Sequence, residues 1–227
     1  MTILALIPTL REFDALVHVL AESDQETQGR NIGRLSGLEY QGGKLVIAHG
    51  GLGKAQMAVH AQHLIDHMEG LSLVVCAGTA GGLLHTLSTG DVVIATVTIE
   101  HDFKWGVAER PQPSFEGHPQ SIAALKAAGQ PLAKRFQVQF GPVASGDEAV
   151  IDSRRAAQVR AATGALAVAF EGAGGARACA FSNVPFLEVR SISDSADEAA
   201  PKEFFKNLPI AMGNVAAVLQ HIATVLG

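Results

Sequence analysis

The feature that most constrains the fold is a regular alternation of short apolar segments with segments of helical periodicity. Runs such as 2–7 (TILALI) and 71–78 (LSLVVCAG) have the length of buried strands, and apolar residues recur at helical spacing in 10–22. Strands that alternate with helices predict an α/β protein with helices on both faces of a largely parallel sheet. The sequence contains no repeat, linker or low-complexity segment, so we expect a single domain over residues 1–227.

Composition and charge exclude several classes of protein. The chain has 227 residues, of which 48% are hydrophobic and 17% charged, as in compact globular proteins. A net charge of −5 does not indicate the basic surface that nucleic-acid-binding proteins carry, so we expect no nucleic-acid partner. No apolar run approaches the roughly 18 residues that span a bilayer, and the first residues lack a basic n-region, so we expect no membrane partner. The two cysteines lie in apolar segments, which fits the cytoplasm.

The same criteria predict the remaining elements. Further strands are expected over 90–102, 136–146, 164–170 and 184–192, and a hairpin around the QGG at 41–43. Further helices are expected over 51–69, 121–129, 153–163, 171–182 and 202–226. A proline-rich stretch at 109–119 is predicted to be a loop.

Two glycine-containing segments are weak motifs when each is taken alone. The segment 76–93 places Gly78, Gly81 and Gly82 at a strand end, where backbone N–H groups can approach an anion or a sugar. Its G-x-x-G-G spacing is not a dinucleotide-binding fingerprint. The segment 50–55 (GGLGKA) is close to a P-loop but lacks its first glycine and its Ser/Thr.

Histidines and carboxylates give two further patterns. Three histidines share one side of the helix at 51–69, but a solvated helix face explains them better than a metal site, so we expect no metal. Carboxylates are more informative, since Glu12, Glu171 and Asp194 each follow a predicted strand. Ligands of α/β proteins bind at the carboxyl ends of strands, so the three acids could converge on one site. Asp194 taken alone could equally cap a turn.

Several segments together resemble the nucleoside phosphorylase/nucleosidase superfamily. They are AGTAGGL…GDVV, ASGDEAV and VAFEGAGGARACAFSNVPFLEVRSISDSAD, together with the position of Glu12, and the resemblance runs from about residue 3 to residue 226. The nearest branch is the bacterial 5′-methylthioadenosine/S-adenosylhomocysteine nucleosidases. The resemblance implies a three-layer αβα sandwich with a central mixed, largely parallel sheet, and a homodimer. It also implies hydrolysis of the N-glycosidic bond of a purine nucleoside by water, without a cofactor.

The resemblance also implies roles for individual residues. Asp194 would protonate N7 of the base, and Glu12 would bind and activate the attacking water. Glu171 would hold the ribose hydroxyls. These roles fit the chemistry, because the sugar becomes cation-like as the bond breaks and a buried carboxyl has a raised pKa. The other implied substrate-binding residues are Leu52, Thr79, Ala80, Gly81, Ala149, Val150, Phe170, Arg190 and Ser193.

Two alternatives remain open beside the nucleosidase. A phosphorylase needs cationic ligands for phosphate, and Cys76 stands where hexameric phosphorylases carry an arginine on the strand before the glycines. Their N-terminal Gly-Asp-Pro phosphate loop is also missing, so water is the better nucleophile. A non-catalytic nucleoside-binding protein is the other alternative. The retention of Glu12, Glu171 and Asp194 argues against it.

The sequence departs from the family pattern at the base end of the site. Ala169 replaces the first glutamate of the usual V-E-M-E, and Ala149 replaces an aromatic residue that often stacks on adenine. Phe170, Phe103 or Trp105 could rebuild the adenine pocket. These departures keep futalosine, or another modified purine nucleoside, open as the substrate. We expect the nearby acid Asp197 to cap the following segment.

Overall fold

The computed structural model describes residues 1–22, 27–106, 110–128 and 135–227. Its described strands are β1 (Thr2–Ile7), β2 (Thr27–Ile32), β3 (Leu35–Tyr40), β4 (Leu45–His49), β5 (Leu71–Gly82), β6 (Val92–Glu100), β7 (Ser114–Glu116), β8 (Val138–Ser145), β9 (Ala167–Ala169) and β10 (Phe186–Asp194). Its described helices are α1 (Leu10–Ala21), α2 (Gly53–Asp66), α3 (Pro119–Ala127), α4 (Ser153–Thr163), α5 (Gly172–Ser182) and α6 (Ala200–Leu226).

Two of these strands were not predicted from the sequence. β2 is mostly exposed and polar, so it lacks the apolar pattern by which a buried strand is recognised. β7 lies within 109–119, the stretch predicted to be a loop, and pairs with β6 through Ser114 to Glu116. The loop prediction is therefore wrong for these three residues and for Pro119, the first residue of α3. Residue 109 lies outside the described residues.

The strands form one mixed sheet of ten strands in the order β10-β6-β8-β9-β5-β1-β4-β3-β2, with β7 beside β6. Its central pairs, β4–β1, β1–β5 and β5–β10, are parallel. The pairs β2–β3 and β3–β4, at one edge of the sheet, are antiparallel. The pairs β10–β6 and β5–β9 are antiparallel too. Because β10 pairs with both β5 and β6, the strands β5, β10, β6, β8 and β9 close into a ring.

Helices cover both faces of the central sheet, which confirms the predicted three-layer αβα architecture. Side chains alternate along each strand: Ile3, Ala5 and Ile7 of β1 pack into the core formed with α1 and α6. Leu4 and Leu6 point the other way, into the core formed with α2 and α5. A strand that is buried on both faces reads as a continuous apolar run, which is why β1 was predictable.

The C-terminal helix α6 is the longest, with 27 residues. Its length and composition would suffice to cross a bilayer, but 56% of its most apolar window is buried inside the protein. Met212, Val215 and Leu219 pack into the core against α1 and the sheet. α6 therefore behaves as a core helix, and its first turn is held over the carboxyl end of β10.

Helices α2 and α5 approach each other closely near their N-termini. A Cβ atom added at Gly174 would lie 2.1 Å from the backbone oxygen of Lys54. A Cβ atom at the neighbouring Gly175 would lie 3.4 Å from Phe186, which is an ordinary contact. Because Leu52 and Glu171 immediately precede these helices, the close approach also sets the distance between two predicted site residues.

We expect Gly174→Ala to lower the free energy of unfolding by about 1–3 kcal/mol, because the backbone of α2 must move to admit the methyl group. Gly175→Ala is the matched control. It should be neutral or stabilising by up to about 1 kcal/mol, since alanine is the better helix former and space is available. Urea denaturation of both variants measures the difference. Equal free energies of unfolding for the two variants would contradict the proposed close packing of α2 and α5.

Candidate active site

Two adjoining cavities lie at the carboxyl ends of β5, β9 and β10. The first, of about 160 Å³, we call the carboxylate cavity; it is lined by Thr9, Glu12, Leu52, Thr79, Ala80, Gly81, Val168, Ala169, Phe170, Glu171, Arg190, Ser193, Asp194 and Phe204. The second, of about 310 Å³, we call the apolar cavity; it is lined by Gly81, Glu148, Ala149, Val150, Ile151, Val168, Ala169, Phe170, Asp194, Ala200, Pro201, Phe204 and Phe205. Each residue to which the resemblance gave a catalytic or substrate-binding role lines one of the two.

Glu12 is fixed in place by the start of α1. It is only 3% exposed and lies in a capping box with Thr9, the N-cap residue of that helix. The Thr9 hydroxyl and N–H donate to Oε2 of Glu12 at 2.7 and 3.2 Å. The N–H and hydroxyl of Thr79 on β5 both donate to Oε1 at 2.8 Å. Four donors from two elements thus hold the carboxylate against the wall of the carboxylate cavity.

Two glycines of the glycine-rich segment provide room for these acids. A Cβ atom at Gly78 would lie 2.8 Å from Oε1 of Glu12, and one at Gly81 would lie 3.0 Å from Oδ1 of Asp194. The sequence suggested that these glycines bring backbone N–H groups to a ligand. In the structure the N–H of Thr79 instead binds Glu12, so the glycines serve the protein's own carboxylates.

Asp194 ends β10 just after the strand shifts register against β5. The Ser193 hydroxyl donates to its Oδ2 at 2.7 Å, and the Ala196 N–H donates to its Oδ1 at 3.0 Å. Burial raises the pKa of Asp194 above its ordinary value, and these two hydrogen bonds oppose the rise. The carboxyl group is therefore suited to hold a proton where it faces both cavities.

Glu171 is the N-cap residue of α5 and is separated from the end of β9 only by Phe170. It is 2% exposed, and burial raises its pKa to about 7 although the charge of Arg190 acts to lower it. The nearby carboxylate of Glu12 adds to the rise. Glu171 thus changes between its neutral and its ionised form close to neutral pH.

Arg190 joins these elements through its buried guanidinium, which is 1% exposed. Its Nε donates to Oε1 of Glu188 at 2.8 Å, and its Nη2 donates to Oε2 of Glu171 at 3.1 Å and to Sγ of Cys76 at 3.3 Å. Its Nη1 donates to the backbone oxygen of Thr79 at 3.4 Å. Each guanidinium nitrogen therefore already has a protein partner, which leaves little capacity to bind an anion.

Lys54, the lysine of the GGLGKA segment, is also occupied. Its Nζ donates to Glu100 at 2.8 Å and to Asp102 at 2.6 Å. It lies in the first turn of α2 and is not among the residues that line either cavity. The segment is therefore a helix start held by ion pairs, and it has no lysine available for a phosphate group.

Aromatic residues at the apolar cavity differ in part from those suggested by the sequence. Phe170 lines both cavities, as does Phe204 near the start of α6, which was not predicted. Phe103 and Trp105 pack against each other, with ring centroids 4.9 Å apart, and line neither cavity. Within this chain they therefore form no part of the wall of either cavity. The Phe-Phe pair at the start of the last predicted helix is the signal that could have identified Phe204.

Two further residues were missed, although the sequence contains a sign of each. Thr9 precedes Glu12 by three positions, which is the spacing of a capping box. Glu188 is a single acid within the apolar run of β10. Asp197 was expected to cap the following segment, and its Oδ1 does accept the Ala199 N–H at 2.8 Å, just before α6.

Most of the chain is similar to known proteins. Residues 2–224 match the phosphorylase superfamily. A 5′-methylthioadenosine/S-adenosylhomocysteine nucleosidase from an Exiguobacterium strain is 32% identical over 187 residues, which is 79% of each chain. One from Actinobacillus succinogenes is 33% identical over 179 residues, covering 76% of this chain and 77% of its own.

A solved structure extends the similarity to nearly the whole chain. It is the Neisseria meningitidis 5′-methylthioadenosine/S-adenosylhomocysteine nucleosidase in complex with methylthio-immucillin-A, which is 30% identical with a TM-score of 0.85 and 99% of both chains covered. The family predicted from the sequence is thereby confirmed. The chain belongs to the phosphorylase superfamily and, within it, to the family of the 5′-methylthioadenosine/S-adenosylhomocysteine nucleosidases.

Proposed function

We propose that this chain is a purine nucleosidase that hydrolyses the N-glycosidic bond of 5′-methylthioadenosine or S-adenosylhomocysteine. The observation that carries the proposal is the convergence of Glu12, Glu171 and Asp194 on the carboxylate cavity from three separate elements. The relatives named above bear this activity in their names. The proposal needs no metal or cofactor, since carboxyl groups and water supply the chemistry.

Asp194 is assigned the role of general acid. A purine leaves poorly as an anion, and a proton delivered to N7 makes it a neutral leaving group. The raised pKa of Asp194 supports this role, because it keeps the carboxyl group protonated to a higher pH. Ser193 and Ala196 orient the carboxyl toward the cavity. The base would lie against Phe170 and the backbone of Val150 in the apolar cavity.

Glu12 and Glu171 are assigned to the sugar side of the reaction. As the bond to the base breaks, positive charge develops on the ribosyl group, and carboxylates beside it lower the barrier. Glu171 in its ionised form accepts hydrogen bonds from the ribose hydroxyls. Glu12 orients the attacking water and receives its proton, with the Thr79 hydroxyl beside it. The water oxygen bonds to the sugar carbon, and the base leaves with the proton of Asp194.

Water is favoured over phosphate as the nucleophile. Binding a phosphate dianion takes available cationic donors. The nitrogens of Arg190 are held by Glu188, Glu171, Cys76 and a backbone oxygen. Lys54 is held by two carboxylates. This distribution of cations supports hydrolysis.

We further propose that the whole chain acts as one domain and as a homodimer, in methionine salvage in the cytoplasm. Leu52 borders the carboxylate cavity and is 56% exposed, and Val59 on α2 is 67% exposed. A second copy that covers this face of α2 would remove apolar surface from water at the edge of the site. Light scattering on the purified protein measures the oligomeric state.

The reaction is tested by chromatography of products from methylthioadenosine, adenosylhomocysteine, futalosine and inosine, each with and without phosphate. We expect free base and free sugar from the first two, at rates that do not depend on phosphate. Futalosine belongs in the series because Ala149 gives the apolar cavity a small side chain where a stacking aromatic was expected. Sugar 1-phosphate formed only with phosphate would contradict hydrolysis.

Replacing the general acid should separate chemistry from binding. Asp194→Asn keeps the shape of the side chain but cannot donate the proton, so we expect kcat to fall by about 10²–10⁴-fold with substrate affinity largely retained. Asp197→Asn is the matched control, three residues along, and should change kcat by less than about tenfold. Steady-state kinetics and equilibrium binding of the nucleoside measure both. Near-normal turnover of Asp194→Asn would show that Asp194 is not the general acid.

Activity should follow the ionisation of Glu171. Because its pKa is raised to about 7, the fraction ionised increases as the pH rises toward 7. We therefore expect the acidic limb of the kcat/KM profile to rise with pH through about 7, since kcat/KM reports the free enzyme, and the alkaline limb to fall as Asp194 loses its proton. Glu171→Gln should abolish this rise and lower kcat/KM at pH 8 by about 100-fold.

The free energy of unfolding should also depend on the ionisation of Glu171. The pKa of Glu171 is raised from an ordinary 4.5 to about 7, so the folded state binds the proton more tightly than the unfolded state. The stability contributed by this proton is complete below pH 4.5 and is lost as the pH rises through 7. The wild type should lose stability across this window relative to Glu171→Gln. If the free energies of unfolding of the wild type and of Glu171→Gln changed with pH in parallel, the pKa of Glu171 in the folded state would lie outside this window.

A further inference from the structure

We propose that Glu188 is a positioning residue of the site, which holds the guanidinium of Arg190 in place and shares its charge, so that Arg190 orients Glu171 without neutralising it. The inference rests on the proposed function for its catalytic consequence. Its structural basis is independent of the substrate.

Glu188 occupies an unusual place for an acid. It lies in the middle of β10, is fully buried, and stands opposite Cys76 of β5 in the register of the sheet. A Cβ atom at Gly172, the first residue of α5, would lie 2.2 Å from its carboxylate, so the helix start closes over it. An ionised carboxylate in such a place is costly unless it is fully paired. The burial of Glu188 therefore requires specific hydrogen-bond and ion-pair partners.

Both oxygens of Glu188 accept hydrogen bonds. Oε1 accepts from Nε of Arg190 at 2.8 Å, and Oε2 accepts from the hydroxyl of Thr98 on β6 at 2.5 Å. A guanidinium can only donate, so this arrangement fits the ionised carboxylate. Glu188 is not among the residues that line the carboxylate cavity. It therefore acts on the site through Arg190 and not by contact with substrate.

The geometry shows how the guanidinium is oriented. Glu188 binds the Nε of Arg190, while Glu171 and Cys76 bind Nη2. Two carboxylates on different nitrogens fix the plane of the group, because its donors form a rigid fork. Without Glu188, the guanidinium keeps Glu171 as its only carboxylate partner among the residues that the structure describes. The group could then turn to pair with Glu171 more closely.

Several negative or ionisable groups share the charge of Arg190. The titratable groups that act on it are Glu171 at the start of α5, Glu188 from β10 itself and the thiol of Cys76 from β5. Glu12 from α1 lies nearby, since a Cβ atom at Gly78 would lie 2.8 Å from its Oε1 and 3.1 Å from Nη1 of Arg190. Burial raises the pKa of the Cys76 thiol well above its ordinary value, so it stays neutral. Glu188 offsets the single positive charge of Arg190. The ionised forms of Glu12 and Glu171 then keep their negative charge for the positive sugar.

The direct test is a ¹³C NMR titration of the glutamate carboxyl carbons in the free protein, with Glu171→Gln to assign the signal of Glu171. In Glu188→Gln, the charge of Arg190 acts on Glu171 alone. We expect the pKa of Glu171 to fall by about one unit. The rise of kcat/KM with pH should move down by the same amount, and kcat above pH 7 should fall by about tenfold with KM little changed.

Two further variants keep the test decisive. Thr98→Val removes the donor to Oε2 of Glu188 without touching Arg190, so it should shift Glu171 in the same direction by less. It decides the matter if Glu188→Gln fails to fold. Asp91→Asn is the control for a buried carboxylate outside the site, since Asp91 accepts the N–H groups of Ser88 at 2.8 Å and Gln137 at 3.0 Å. It should lower stability and leave the pH profile unchanged.

The outcomes separate this inference from the proposed function. An unchanged pKa of Glu171 in a folded Glu188→Gln, or in Thr98→Val if the former does not fold, overturns the role of Glu188 whatever the substrate is. A wild-type protein that releases no base from any nucleoside overturns the proposed function instead. A loss of stability in Glu188→Gln with the same pH profile as the wild type would mean that Glu188 is only a structural ion-pair partner.

Discussion

The burial of one positive charge, that of Arg190, is the constraint on which the rest of the site depends. A guanidinium removed from water must find partners for its donors, or the fold loses several kcal/mol. Here β5 supplies Cys76 and Thr79, the start of α5 supplies Glu171, and β10 supplies Glu188. Three elements are thus tied to one group. The geometry of the sugar side of the site follows from the requirement to satisfy it.

Glycines, which have no side chain, make this concentration of acids possible. Gly78 and Gly81 leave space for the carboxylates of Glu12 and Asp194, and Gly172 leaves space for that of Glu188. Gly174 allows the backbones of α2 and α5 to touch. The high glycine content of the sequence is therefore used, at these positions, to bring charged groups and helix ends close together in the interior of the protein.

The sequence was sufficient for the parts of the structure that depend on local pattern. Buried strands are continuous apolar runs. The carboxyl ends of β1 and β10, both parallel to β5, share one edge of the sheet, which is why Glu12 and Asp194 could be expected to meet. Glu171 joins them although its strand, β9, runs antiparallel to β5, which the sequence could not show. Partners set by packing could not be predicted in this way. Thr98 and Glu188 are 90 positions apart and meet only because β6 and β10 pair. Phe204 reaches the cavity only because α6 packs as it does, and β2 has no apolar pattern to recognise.

The closed ring of β5, β10, β6, β8 and β9 has a consequence for how such a protein can change over time. Thr79, Glu171 and Asp194 lie on or directly beside strands that are bonded to neighbours on both sides, so moving one of them strains the whole ring. The residues 149–151 and the first turn of α6 carry no such restraint. New substrates can therefore be acquired by rebuilding these two peripheral segments, while the bond-breaking apparatus is inherited intact.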